Sequence, residues 1–450
     1  LGHIVFSLLK VFVKDKKPVD RDNFKYKRVE LSGSLIYNLF NEYYKQQIDG
    51  FNLKIDKEYT YKQNIYQDDF SALFLNNYNE FFKDRIVENG FRKGFKGNWG
   101  GTEHTKRPGA IQDLNRLSFN SALSHLRKVN LEIDATAKVV APRLLHGSQW
   151  GFIDPVDTPD GGNIGFHKHM SITTHVTSGY SKYPLMELLF NEFNITHIEK
   201  AHALQLSNSV KLFVNGHWFA ITEDPVRFVE QFKIYRHVAL IPIQTSIYWE
   251  IETHTIYLYT DGGRLSRPVF YIDSARNASY ERYTTKLSWL EMTSGSNKKQ
   301  IDYDLNAFYT MQQLYGDKKS IKELIAGSSI IEFIDASEEE GSYISVEKIN
   351  DYRQTRHTNV EIHPSLILGI MGNQIVFPEN NQLPRDLFSC GQSKQAVSLY
   401  HSNYHNRIDK MGVVLNNGQI PLVKSRYSRL IHNEENPYGE NVIVAIMCYT

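Results

Sequence analysis

The sequence predicts a multidomain chain of mixed α+β class, and three observations lead there. Its 450 residues exceed what one ordinary core organises and suggest roughly two to four domains. Apolar residues recur three and four apart near the N-terminus, then give way to short alternating runs broken by Asn-Gly and Asp-Gly-Gly turns. Hydrophobic residues at 41% and charged residues at 22% are the balance of a chain that buries cores.

The opening run, LGHIVFSLLKVFV, predicts a core helix too short to span a bilayer. It lacks an initiator Met, a basic leader and a small-residue cleavage site, so it reads as a helix exposed by truncation. A turn at Pro18 leads to a second helix through KRVELSGSLIYNLFNEYYKQQI. A further helix over residues 68–89 lines up Phe70, Leu73, Phe74, Tyr78 and Phe81 as a core stripe. Residues 91–110 are glycine-rich, basic and aperiodic, and match neither the Walker phosphate loop nor the dinucleotide fingerprint. They predict a loop, either reaching towards nucleic acid or serving as a surface connection.

The stretch from Asn115 to Lys168 organises the rest. NRLSFNSALSHLRK predicts a helix ending in Arg127 and Lys128, followed by a small-residue loop. Pro142, Pro155, Pro159, Gly161, Gly162 and Gly165 then punctuate a series of turns. HKHMSITTHVTSG alternates as a strand with His167 and His169 on one face. Two such histidines can begin a zinc site, but no third ligand stands at suitable spacing, which leaves polar packing or phosphate contact.

Beyond residue 180, SVKLFVNGHWFAIT predicts a hairpin about Asn215 and Gly216, and TIYLYTDGGRLSRPVFYI another about Asp261, Gly262 and Gly263. Between them a helix begins at Asp224 as its cap, with Pro225 in the first turn. The run Glu338, Glu339, Glu340, Gly341 predicts an exposed turn between strands. NVEIHPSLILGIMGNQIVF has the composition of a buried strand or core helix. Pro384 opens a short basic helix, where Arg385, Lys394, Gln395 and Arg407 offer a bidentate cation, a point charge and an amide able to read ribose or base edges. The final IVAIMCYT predicts a buried strand whose end looks artificial.

A formal net charge of +1 hides an uneven distribution. Residues 91–128 hold eight Lys or Arg against two acids, residues 381–430 seven against two, and residues 331–351 seven acids against one Lys. The pattern fits a polyanion touching two basic places, or solvated surface charge. Cys390 and Cys448 alone exclude a four-cysteine zinc site within the sequence and argue for a reducing compartment.

GNWG, NRLSFNSALSHLRK, PRLLHGSQWGFIDPVDTPDGGNIG, VNGHWF, TDGGRLSRPVF, EIHPSLILGI and FPENNQLPRDLFSCGQSKQA follow one another in an order that resembles the second-largest subunit of multisubunit DNA-directed RNA polymerases. The resemblance covers essentially the whole sequence and is eukaryotic or archaeal in style. DTPDGGNIG and the Asn, Lys and Tyr richness are similar to versions from large DNA viruses. The chain would then be an internal fragment: residues 1–97 the end of the lobe and part of the protrusion, 98–178 the fork, 179–265 and 266–362 two external domains, and 363–450 the start of the hybrid-binding domain. Fork loops would be Gly97 to Gly109 and Val129 to Ala141.

By the same resemblance, Arg385 matches an arginine near the triphosphate of the incoming nucleotide, and Lys394 and Gln395 match positions near the RNA. Lys106, Arg107, Arg127, Lys128, Arg143, Asp160 and Asn163 are candidate fork and nucleic-acid residues. Asp157 and Asp160 stand where many relatives carry glutamate, so their reach is shorter. The resemblance implies partners: the largest subunit, smaller subunits, template DNA, nascent RNA and nucleoside triphosphates, and no membrane. It also implies catalytic Mg2+ held chiefly by the largest subunit, with an acidic active-centre motif, further lysines, the wall and a zinc-bearing segment following the position of Thr450. No zinc and no catalytic residue acting alone is expected within the fragment. The site of action would be intracellular, in a nucleus, a viral factory in host cytoplasm or a virion. Two other readings are a non-catalytic binding or assembly module of the same ancestry, and a metal hydrolase using His146, His167 and His169.

Overall fold

Apolar spacing at the N-terminus folds as expected into α1 (Gly2–Phe12), but none of its residues is buried, so it is not a core helix. The computed structural model describes residues 1–67, 70–134, 136–295 and 325–448. Its chain divides into two units, one of Glu30–Leu114 and one of Leu1–Val29 with Asn115–Thr450.

The Glu30–Leu114 unit is helical. α2 (Ser32–Tyr61) runs well past its predicted end, followed by α3 (Gln63–Tyr66), α4 (Phe70–Phe81) and α5 (Ile86–Phe95). The single helix expected over residues 68–89 is therefore two helices, with residues 68–69 outside the described residues. Leu73 and Phe81 enter a core with Tyr66, Phe51 and Phe74, while Phe70 and Tyr78 stay exposed. A second cluster joins Leu39, Tyr43 and Trp99. The glycine-rich loop starts after Phe95, since its first residues complete α5.

In the other unit, α6 (Phe119–Leu126) begins at Ser118, whose hydroxyl caps it by accepting from Ser121 N. Arg127 is the C-cap, and Lys128 already belongs to β1 (Lys128–Asn130), which pairs antiparallel with β2 (His167–His169). β3 (His175–Val176) follows. α7 (Lys182–Glu192), β4 (Thr196–His197), α8 (Ala203–Asn208), β5 (Val210–Val214), β6 (His217–Thr222), α9 (Pro225–His237), β7 (Ser246–Glu250) and β8 (Thr255–Tyr259) build a layer of helices on a sheet ordered β4-β6-β5-β8-β7. Leu185, Leu189, Phe219, Phe232, Ile256 and Leu258 fill the core between them. Asn215 and Gly216 both take positive φ, 48° and 79°, as the tight hairpin between β5 and β6 requires. Asp224 accepts from Arg227 N and Pro225 starts α9, as the sequence led one to expect.

A second sheet contains β9 (Leu265–Tyr271), β10 (Ile331–Asp335), β11 (Ile344–Ser345) and β12 (Asn359–Val360) in the order β10-β9-β12-β11, with β3 also on β9. α10 (Trp289–Ser294) and α11 (Ala336–Glu340) lie beside it in sequence, and α12 (Leu383–Ser393) follows. The hairpin expected about Asp261 to Gly263 is not one: β8 and β9 belong to different sheets. Residues 177–180 run alongside the turn, with Thr177 N donating to Arg264 O and Tyr180 N to Thr260 O, and so take the partners a hairpin would have used.

The acidic run also departs from expectation. Glu338 is 3% exposed, in α11, and binds the Arg236 guanidinium through both oxygens at 2.7 Å. Arg236 also reaches Glu332 at 2.9 Å, Arg264 reaches Asp335 at 2.9 Å, and Arg267 pairs with Glu361 and Glu339. Burial works against the Glu332 carboxylate, yet Lys233, His237 and Arg236 hold it well below the usual range. The apolar NVEIHPSLILGIMGNQIVF forms only the two residues of β12 and then 3-10 turns, and Val442, Ile443 and Ile446 near the end are exposed and outside any strand. In both segments composition signalled burial, but prolines and glycines or missing strand partners prevent a ladder.

Candidate nucleic-acid interface

The predicted turn series is built around one buried carboxylate. Asp154 accepts from Val156 N at 3.1 Å and from Gly369 N at 2.8 Å, which ties the turns to residues 369–372. A Cβ at Gly369 or at Gly372 would stand 2.7 Å from Asp154 Oδ2, so only glycine lets the two segments close. Burial, then the neighbouring Asp157 charge, push the Asp154 carboxyl up to about 7. Thr158 Oγ1 donates to His167 O and accepts from Gly165 N, locking the tip of the turn to β2.

This frame and α12 enclose a cleft of about 470 Å³. Ser121, Ser124 and His125 of α6, Lys128 of β1, His167 and His169 of β2, Asp157 to Asp160 of the turn, and Phe388, Gln392, Lys394 and Gln395 at the end of α12 line it. Ser118 Oγ donates to Lys394 O at 2.6 Å and Phe119 N to Ser398 Oγ at 3.3 Å, fixing the start of α6 against the end of α12. Lys128 is held below the usual ammonium range, first by burial and then by the Lys394 charge. The Asp157 carboxylate partly offsets that repulsion between the two ammonium groups.

Four of the expected residues thus meet at one place: Lys128, Asp160, Lys394 and Gln395. Arg385 is exposed on α12, its guanidinium 5.8 Å from the ring of Phe388, which lines the cleft. Arg127 points elsewhere, donating to the carbonyls of Ser171 at 2.6 Å and Thr174 at 3.0 Å. Arg143 likewise donates to Gly162 O and Ile164 O and stacks 3.8 Å over Phe166. Gly165, at φ 74°, is the close approach that permits this, since a Cβ there would stand 2.3 Å from Arg143 O. Asn163 is exposed in the 3-10 turn Gly161–Asn163. In the Glu30–Leu114 unit, Lys106 lies 3.5 Å from Glu103, and Arg107 pairs with Glu30. Arg407 binds Asp409.

Sequence reasoning missed Lys168, the reverse side of β2. It is 5% exposed, and burial, then Lys27, lower it to about 8. The alternation that put His167 and His169 on one face was the available signal. Those two do not form a metal pair: His167 Nδ1 lies 2.8 Å from Asn130 Oδ1 and His169 Nδ1 lies 2.8 Å from Asp157 O. His146 instead contacts Ser148 and Asp20. Among the described residues, no three His, Cys, Asp or Glu side chains converge as ligands.

Comparison of the sequence with known families assigns the chain to the DNA-directed RNA polymerases. Three family models match in chain order: RNA polymerase Rpb2, domain 3 over residues 112–176, domain 4 over 212–273 and domain 6 over 371–450. The whole chain aligns with DNA-directed RNA polymerase II subunit RPB2 of Schizosaccharomyces pombe at 30% identity, covering 38% of it. It aligns with the Encephalitozoon cuniculi subunit of that name at 33%, covering 37%, and with DNA-directed RNA polymerase subunit 2 of Acanthamoeba polyphaga mimivirus at 30%, covering 37%. The chain belongs to the family of second-largest RNA polymerase subunits, and it spans under two fifths of the length of these relatives.

Proposed function

We propose that the chain is the part of a second-largest subunit that forms one wall of the active-centre cleft and positions the RNA end, the RNA:DNA hybrid and the incoming nucleoside triphosphate during templated RNA synthesis. The observation that carries this reading is the meeting of Lys128, Asp160, Lys394 and Gln395 around one cleft between the turn series and α12. The reaction is attack of an RNA 3'-hydroxyl on a nucleoside triphosphate with release of pyrophosphate, a step catalysed mainly by positioning and charge neutralisation. Lys128 and Lys394 neutralise phosphate oxygens, Gln395 offers an amide to ribose or base, and Arg385 meets the triphosphate from the rim.

Bound Mg2+ supplies charge stabilisation in such reactions, and we assign its ligands to the largest subunit. Residues 98–178 serve as the fork, 179–265 and 266–362 as external domains and 363–450 as the start of the hybrid-binding domain. Residues 1–97 complete the lobe and protrusion side. The matches to domains 3 and 6 support the fork and hybrid-binding assignments. The relatives come from cellular organisms and from mimivirus, which supports action in a nucleus, in a viral factory in host cytoplasm or in a virion. The test is Lys394→Ala in the assembled polymerase: kcat/KM for nucleotide addition falls about tenfold, the worth of one charge-assisted hydrogen bond. Unchanged kinetics would remove Lys394, and the cleft with it, from the reaction.

A further inference from the structure

Lys394 leaves the C-terminal cap of α12 with its ammonium already engaged. Nζ lies 2.6 Å from Asp157 Oδ1 and 3.4 Å from His169 Nε2. His169 Nδ1 is 2.8 Å from the Asp157 carbonyl oxygen, which can only accept. Nδ1 therefore carries the ring hydrogen, and Nε2 presents its lone pair to the ammonium. Asp157 and His169 side chains are 4% and 8% exposed, and Lys394 is 21% exposed. An ammonium has three N–H donors, so one is left for the cleft.

We propose that Asp157 and His169 are positioning residues that hold the Lys394 ammonium at a fixed place in the cleft, ready to meet an anionic oxygen of RNA or nucleotide with its third N–H. A free lysine stem samples many rotamers, and fixing it before the anion arrives removes that entropy cost from the encounter. The charge balance agrees: Lys128 of β1 faces the same cleft and repels Lys394, and the Asp157 carboxylate is the counter-charge between them. This role rests on the reading of the cleft as an RNA and nucleotide site, whereas the hold itself stands on the geometry alone.

Two measurements test it. Amine-reactive labelling of the full chain, quantified at each lysine by mass spectrometry, follows the hold without any polymerase reaction. Asp157→Asn keeps the shape but removes the charged acceptor, and labelling of Lys394 rises about tenfold while that of distant lysines such as Lys286 stays level. Asp157→Glu, which keeps a carboxylate, restores part of the protection. If Asp157→Asn raises labelling at every lysine, the variant has unfolded and His169→Phe decides by the same criterion. No rise at Lys394 in a folded variant overturns the proposal.

In the assembled enzyme, adding Asp157→Asn to Lys394→Met leaves kcat/KM where Lys394→Met alone puts it, because the carboxylate acts through the lysine. Additive losses overturn that role. If Lys394→Met changes nothing while labelling still responds, the hold stands and the assigned function of the cleft fails.

Discussion

Asp154 is the residue on which the cleft's frame turns, and its protonation links the frame to pH. Its folded pKa of about 7 lies above the ordinary 3.8, so the native state keeps a proton that the unfolded chain releases. That contribution to stability is full below 3.8 and is lost as pH rises through about 7. Wild type therefore loses stability relative to Asp154→Asn by on the order of 1 kcal/mol per pH unit across this window. Denaturant unfolding of both proteins from pH 4 to 8 checks it, and a pH-independent difference would refute the buried-acid account. His169 titrates with the opposite sign, since burial lowers it to about 4 and it costs stability as pH falls from 6.5. Comparing the two proteins cancels that term. Lys394, by contrast, was legible in sequence as a candidate, but its two acceptors were not, because Asp157 and His169 meet it across more than two hundred residues.

Helices and strands with local signatures could be read directly: Asp224 and Pro225 starting α9, Pro384 near the start of α12, Asn215 and Gly216 between β5 and β6. Each signal acts within a few residues. What could not be read depends on distant partners. The acids of α11 looked like a solvated turn because their arginines stand far away in sequence on α9 and β9, and the Asp261 to Gly263 turn looked like a hairpin because nothing local announces the intruding residues 177–180. Residues 443–448 mark the same limit, since strand composition without a paired strand among the described residues makes no ladder. Arg236→Met tests the α11 network at this scale. It leaves Glu332 and Glu338 buried without their main counter-charge and costs about 3–5 kcal/mol, measured as a fall in the denaturation midpoint. Arg236→Lys does not rescue it, because an ammonium cannot reproduce the two-oxygen grip on Glu338.

Across the larger unit, Arg236 does more than neutralise charge. Arg236 leaves a helix packed on the first sheet and pairs with Glu332 on β10 of the second and with Glu338 on α11, while the Arg264–Asp335 and Arg267–Glu361 pairs tie β9 to β10 and to the end of β12 within the second sheet. Separating β10 from its surroundings would strand several buried charges at once, so partial opening is suppressed and the two sheets open together. Amide protons of β5, β9 and β10 should then exchange with one shared opening free energy in hydrogen-exchange mass spectrometry. Independent protection of the two sheets would refute this. A carboxylate cluster that resembles a surface charge run in the sequence is, in these terms, a mechanical joint: a push on one sheet reaches the other as a rigid displacement, without being absorbed between them.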